Sequence, residues 1–328
     1  MGRKNLAFGT CDEYNSRDVL GEYKMRQKEG AMTPVIAVAN QKGGTGKTTT
    51  AVNLSVCLAE GGLRVLLVDV DSQANATLSL GVDYTALERS LYDVIADGLP
   101  LGEVVCPTDW GVVLAPATLA LATAEMMLFA ALRREQVLAE ALAPLTGGEE
   151  EPVFDVVLLD CPPSLGLLTV NGLVAADWLI APVPTEALAL EGVGQLLQSV
   201  EVVQRRLNPR LKVMGLLATR FDPRERLAHE ALERLRQDYG QPVFETVIRK
   251  NVRLAEAPAF GQPVTAYAPG SPGAEDYRRL AREVAGRLGL HLSPIAGDEP
   301  GYERKVGGGR AARESSPQVQ TEVVGGEE

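Results

Sequence analysis

The chain contains no stretch approaching the roughly 18 uninterrupted apolar residues a membrane-spanning helix requires, so no transmembrane helix is expected. Its N-terminus mixes acids with bases and lacks a secretory apolar core, and nothing there points to export. Cysteine is scarce. Cys11, Cys57, Cys106 and Cys161 are scattered without C-x-x-C spacing and read as reduced thiols, small packing residues rather than ligands. The two histidines, His229 and His291, lie too far apart to suggest a metal constellation. No internal repeat is visible. What is present is 328 residues, 45% hydrophobic, enough for one large α/β domain or two smaller ones with a sizeable core.

A formal net charge of −11 ordinarily argues against nucleic acid as a partner. The charge is unevenly placed, however. Between Arg205 and Arg253 there are twelve Lys and Arg against six Asp and Glu, so the rest of the chain carries all of the negative excess. A net acidic protein can still present a basic face, and it is the local distribution that governs contact. A solvated helix surface is the plainer alternative.

Along the chain, short apolar runs alternate with helical patterns. Strands are expected at 35–39, 65–68, 112–115, 153–159, 178–183, 213–218 and 243–248, most of them continuous apolar runs of the kind covered on both faces. Helices are expected over 48–60, 117–143, 188–207 and 226–239. The alternation predicts an α/β fold: a single doubly wound, mostly parallel sheet with helices on both faces and no second core. Residues 1–33 are polar and weakly periodic and read as a flexible extension, with Met32 as an alternative start. The segment 34–292 forms the domain. Residues 293–328, rich in Gly, Pro, Glu and Ser, are expected to be a disordered tail, and the acidic stretch 147–152 a surface loop.

The densest chemistry follows the first apolar run. Lys42-Gly43-Gly44-Thr45-Gly46-Lys47-Thr48-Thr49 is a Gly-rich turn between a strand and a helical pattern, the context of a phosphate-binding P-loop. Glycines let consecutive backbone N–H groups converge on phosphate oxygens, and the helix N-terminus adds a favourable dipole. Lys47 is expected to reach the β- and γ-phosphates of a nucleotide and Thr48 to sit on Mg²⁺. The loop departs from G-x-x-x-x-G-K-[ST] at Gln41, which stands where the first glycine belongs, and it carries a second lysine, Lys42.

Two further strands end in carboxylates. Val65–Val68 leads to Asp69 and Asp71, which share one side of an extended chain and bring two repelling charges to the carboxyl edge of the sheet. Val156–Leu159 leads to Asp160, followed by Cys161, Pro162 and Pro163; this has the shape of a Walker B strand, whose aspartate holds the Mg²⁺ shell through water. Arginines cluster in Thr219-Arg220-Phe221-Asp222-Pro223-Arg224-Glu225-Arg226 and again in Arg249-Lys250-Asn251-Val252-Arg253-Leu254.

Four ordered motifs over roughly residues 34–292 resemble the ParA/MinD family of ATPases. The loop K-G-G-x-G-K-T-T resembles its deviant Walker A. Residues 68–77 resemble V-D-x-D-P-Q-x-N-A-T, with Ser72 where proline is usual. Residues 251–264 resemble the N-V-R-L-S-E-A-P-S-x-G-x-P-V signature of chromosomal, Soj-type ParA proteins, with Ala255 and Ala259 replacing serines.

The resemblance implies a P-loop NTPase that binds ATP and Mg²⁺ and hydrolyses ATP slowly under stimulation by a partner. Lys42, Lys47 and Asp71 would be catalytic, Asp71 orienting the attacking water and Lys42 reaching the phosphates of a second subunit. Gly43, Gly44, Thr45, Gly46, Thr49 and Asp69 would shape the nucleotide site, Thr219 and Pro223 the adenine pocket. It further implies an ATP-dependent homodimer that binds nonspecific double-stranded DNA through Arg220, Arg224, Arg226, Arg249, Lys250 and Arg253. A ParB-type centromere-binding protein would release it, in the cytoplasm on the nucleoid, during chromosome or plasmid segregation. Of the six basic residues, Arg226 can pair with Glu230 and Arg253 with Glu256, whereas Arg224, Arg249 and Lys250 have fewer local partners. Alternatives are the same ATPase positioning a non-DNA cargo, and a MinD-like membrane switch, for which residues 301–328 lack an amphipathic anchor. An iron–sulfur protein resembling nitrogenase iron protein would need more cysteine motifs than Cys106 and Cys161 offer.

Overall fold

Alternate residues of each central strand feed two different cores, which is how one sheet is covered on both faces. The computed structural model describes residues 32–147, 153–186 and 191–295. In strand β1 (Val35–Val38), Val35 and Ala37 pack with Leu66, Val68, Val157 and Leu159 on one side, while Ile36 and Val38 pack with Leu67 and Leu158 on the other. This is the period of two expected of buried parallel strands.

The other strands are β2 (Val65–Asp69), β3 (Cys106–Pro107), β4 (Val112–Ala115), β5 (Val156–Asp160), β6 (Trp178–Pro184) and β7 (Lys212–Thr219). They form a seven-stranded sheet in the order β3-β4-β2-β5-β1-β6-β7, parallel except for β3. The first strand lies inside the sheet and the chain builds outward from it to both sides. The crevice beyond its carboxyl end is therefore where an open α/β sheet binds its ligand. Register fixes what meets there: Asp69 of β2 is the cross-strand partner of Asp160 of β5, and Asp160 is also the partner of Val38.

Helix α1 (Lys47–Glu60) and the long C-terminal helix, α11 (Pro272–Leu288), cover one face, with Leu54, Leu58, Tyr277, Leu280 and Val284 in a shared core. Between them in sequence lie α2 (Asn75–Ser79), α3 (Leu91–Asp97), α4 (Leu121–Leu128), α5 (Val137–Thr146), α6 (Leu167–Ala175), α7 (Glu191–Arg206), α8 (Arg226–Asp238), α9 (Val252–Glu256) and α10 (Val264–Tyr267). Helices α3 to α8 supply the opposite core, through residues such as Leu91, Leu121, Leu138, Leu168, Leu196 and Leu235.

Three local expectations change. The helix expected over 117–143 is two helices, α4 and α5. The buried Asn171 of α6 holds the break open: its Nδ2 donates to the Arg134 carbonyl (2.8 Å), its Oδ1 accepts from the Leu138 amide (3.2 Å), and Arg133 has a positive φ of 53°. The expected strand at 243–248 is not continuous: it meets β7 at an isolated bridge, Leu216 with Val243, and again where the Ile248 amide donates to the Ala218 carbonyl. Pro242 has no amide to donate, and the Glu245 and Thr246 amides turn to the Glu283 carboxylate of α11, both at 2.9 Å. Finally, Cys57 and Cys161 are buried free thiols as expected, but Cys106 is disulfide-bonded.

The flanking expectations for 1–31, most of 147–152 and the tail beyond 295 lie outside the described residues. At the margins, Thr33 is buried and bonded to Phe154 and Thr146, Ile295 is buried, and the Ser293 amide donates to the Gly61 carbonyl. Among the described residues no helix is long and apolar enough to cross a membrane.

Candidate active site

The phosphate loop is built by backbone conformations that only glycine adopts cheaply. Gly44 and Gly46 sit at φ 71° and 93°, in the left-handed region, and Gly46 immediately precedes α1. Asn40 anchors the loop entrance, donating to the Pro182 carbonyl (2.7 Å) and accepting from the Lys42 amide (3.1 Å). The Thr219 hydroxyl at the end of β7 donates to the Thr45 carbonyl (2.9 Å), tying the loop to the far side of the crevice. Inside it, the Lys47 ammonium donates to the Lys42 carbonyl at 3.0 Å. Burial lowers the pKa of Lys47, an effect opposed by Asp160 and Asp71. Lys42 is exposed, and the stem of its side chain runs over Gly192 at the start of α7, where a Cβ would come within 3.0 Å of it.

The three aspartates converge beside this loop but differ in their surroundings. Asp69 is wholly buried and accepts from the Thr77 amide and hydroxyl, both at 2.8 Å, and from the Asp71 amide at 3.2 Å. Burial nonetheless pushes its carboxyl up to about 7. Asp71 is also buried, and one oxygen accepts from the Gln73 amide at 3.0 Å.

Asp160 is the unsatisfied member. Both its oxygens are buried and complete no hydrogen bond, although the Thr48 hydroxyl favours its charged form. Burial first, and the charge of Asp69 next, push its pKa well above the carboxylate range. An orphaned carboxylate is costly unless something completes it. The residues fit a hard divalent cation: Thr48 and Asp160 would hold it, and its charge would reverse the penalty of gathering acids at one strand edge.

A cavity of about 490 Å³ opens from the loop. Gly44, Gly46, Thr49 and Thr219 form one side; Ile248, Asn251 and Leu254 form the other. Thr219, expected at the adenine, is among the lining residues. Pro223, expected beside it, is exposed and outside this lining, its carbonyl paired with His229. The sequence does not assign the wall at 248–254 to the cavity, although Asn251 and Leu254 lie within the signature at 251–264. Tyr277 also lines the cavity, its hydroxyl 3.2 Å from that of Thr50. Its signal was the Ser271-Pro272 start of an amphipathic helix, with Ser271 as N-cap and Pro272 in the first turn.

The six basic residues are near one another in sequence but unlike in setting. Arg249 is locked to α11: its amide and Nε donate to Asp276, and its Nη2 to Asp276 (2.7 Å), Glu275 (2.8 Å) and the Pro272 carbonyl. Asp276 is only 1% exposed, and these bonds push the Arg249 pKa upward. Arg224 is exposed and folds back on Asp222 in its own loop, so neither arginine is short of partners as the sequence suggested. Arg226 pairs with Glu230 and Arg253 with Glu256, as expected, and Arg220 pairs with Glu186. Lys250 alone of the six has no ion pair among the described residues; it is exposed, and it lines both this cavity and a neighbouring surface hollow.

A glycine-cradled loop at the switch point, a buried lysine and an orphaned strand-end carboxylate define a P-loop nucleotide-binding protein. A family model described as an AAA domain matches residues 33–213. The chain is 45% identical over 255 residues to the sporulation initiation inhibitor protein Soj of Bacillus subtilis, covering 77% of this chain and 99% of that one. It is 50% identical over 253 residues to the chromosome-partitioning ATPase Soj of Thermus thermophilus, covering 77% and 96%. Among solved structures, one titled cobyrinic acid a,c-diamide synthase from Mycobacterium smegmatis, with bound ADP and magnesium, superposes with a TM-score of 0.69 at 40% identity, covering 80% of this chain and 98% of that one. The chain belongs to the ParA/MinD family of P-loop ATPases, and within it to the Soj-type ParA proteins.

Proposed function

We propose that this protein is a ParA-type ATPase of chromosome partition that cycles between an ATP-bound homodimer held on nonspecific DNA and a released form. ATP and Mg²⁺ are its ligands: Gly43–Thr49 with Lys47 would bind the phosphates, and Thr48 and Asp160 would hold the cation. Asp71 orients water for attack on the γ-phosphate, and a ParB-type protein accelerates that step, in the cytoplasm on the nucleoid. The observation that best supports the DNA half of this reading is the double use of one segment. Most residues of 248–254 line the nucleotide cavity, and Lys250 and Arg253 of the same segment also line a neighbouring surface hollow with residues 268–272. Nucleotide and DNA phosphates would then act on the same few residues, and γ-phosphate contacts could select one of two arrangements. The test is DNA binding with ATP, with ADP and without nucleotide at two salt concentrations. Binding that is ATP-dependent, indifferent to sequence and steeply weakened by salt is the expected result; equal binding in all three nucleotide conditions would refute the cycle.

Two substitutions in the loop separate its lysines. Lys47→Ala should lose nucleotide affinity itself, read by titration with a fluorescent ATP analogue. Lys42→Gln should bind ATP nearly as wild type yet stay monomeric, because a lysine–phosphate contact across the dimer is lost from both subunits. Removing such a buried charged contact costs about 2–5 kcal/mol. Light scattering with ATP in an Asp71→Ala background reads the outcome, and a normal dimer there would remove Lys42 from the interface.

A further inference from the structure

The outer face of α4 is apolar where solvent would favour charge. Backbone turns extend the helix at both ends, from the Leu121 amide bonded to the Thr118 carbonyl through the Ala131 amide bonded to that of Leu128. At 100° per residue, Leu121, Ala124 and Leu128 face the core, where they are buried. Leu119 and Met126 then centre the opposite face, flanked by Met127 and Phe129. Met126 is 73% exposed, Phe129 65%, and Leu132 just beyond is 94% exposed. Between Thr118 and Leu132 the sole charged residue is Glu125. It is turned away from this face: its carboxylate accepts from the Leu168 amide and lies where a Cβ on Gly166 would be. An apolar, methionine-bearing surface of this kind marks a contact site.

Its position indicates what covers it. Helix α4 starts at the carboxyl edge of the sheet, four residues past Ala117, whose amide donates to the Thr77 hydroxyl, which in turn donates to Asp69. Through Glu125 the helix is fastened to the 164–168 turn that follows Asp160, and that turn exposes Leu165. The face therefore continues the phosphate edge, which a second subunit must approach if Lys42 acts across a dimer. A twofold contact sets the same patch against itself; charge would meet like charge, whereas an uncharged apolar face is self-complementary.

We infer that the outer face of α4, with Leu119, Met126, Met127, Phe129 and Leu165, is the apolar part of the ATP-dependent contact with a second copy of this chain. The inference rests on the dimer reading above and names the surface that makes it. It calls for Met126→Glu combined with Phe129→Glu in the full chain, in the Asp71→Ala background, with ATP and Mg²⁺. Sedimentation velocity should show the dimer dissociation constant rising at least about 100-fold, as when interface hot spots are lost. ATP affinity of the monomer and Tm should be unchanged, since both positions are exposed. Leu227→Glu, at an exposed leucine on α8, should leave dimerisation intact. Dimerisation of the double variant at the parental ATP and protein concentrations would overturn the inference while leaving the dimer reading standing. So would normal dimerisation there together with loss of partner-stimulated turnover when the same double variant carries Asp71, which would assign the face to that partner. A parent that stays monomeric with ATP would remove the dimer reading, and this inference with it.

Discussion

Asp71→Ala is expected to abolish ATP turnover while leaving ATP and Mg²⁺ bound. The phosphate contacts belong to the glycine loop, Lys47 and Thr48, and the cation fits Thr48 and Asp160; Asp71 contributes to neither. The one hydrogen bond its carboxylate accepts among the described residues comes from the Gln73 amide, which leaves a carboxylate oxygen to take a proton-bearing ligand. In phosphoryl transfer the protein acts chiefly by positioning and by charge. Losing the water-orienting group should therefore lower kcat by about 10²–10⁴. Removing Asp71 also takes one negative charge from beside Asp69 and Asp160, both of which it disfavours as anions. Nucleotide affinity should consequently hold or rise, and the ATP-bound dimer should accumulate. Phosphate release and fluorescent-nucleotide titration on one preparation decide it: wild-type turnover would remove Asp71 from the mechanism, and loss of ATP binding would place it in the nucleotide cradle instead.

What was legible in the sequence was whatever is held by neighbours in the chain. The phosphate loop occupies eight consecutive residues, and its strand and helix flanks are continuous with it. Asp69 and Asp160 could be placed because a continuous apolar run can only be a buried strand here, and its polar end must emerge at an edge. The illegible parts are those decided by groups far away. The break between α4 and α5 depends on Asn171, and the loss of the strand at 243–248 on Glu283. Arg249 looked unpaired because its carboxylate lies 27 residues further along. The cavity wall at 248–254 was hidden for a similar reason: its residues were visible, but only the fold turns them toward the loop.

That hidden ion pair separates two residues which sequence placed side by side. Arg249→Ala should destabilise the fold, because it strips Asp276 of its guanidinium donors, leaving it the backbone amide of position 249, while Asp276 stays buried. Breaking a buried pair costs about 3–5 kcal/mol, and the lower end applies because Arg249 is one-third exposed and Arg279 stands 3.8 Å from the same carboxylate. About 3 kcal/mol corresponds to a Tm drop of roughly 6–12 °C for a domain of this size. Lys250→Ala has no such partner to abandon, and its Tm should stay within about the 0.5 kcal/mol typical of surface changes. Its effect should fall on DNA instead. Each lost phosphate contact removes about 0.9 from the slope of log K against log salt, so a dimer that loses two should flatten by about two. Thermal melts and salt-dependent DNA titrations of the two single variants therefore give opposite signatures. A stable Arg249→Ala variant that loses DNA binding, beside a Lys250→Ala variant that binds DNA normally, would reverse the assignment and make Arg249 the phosphate contact.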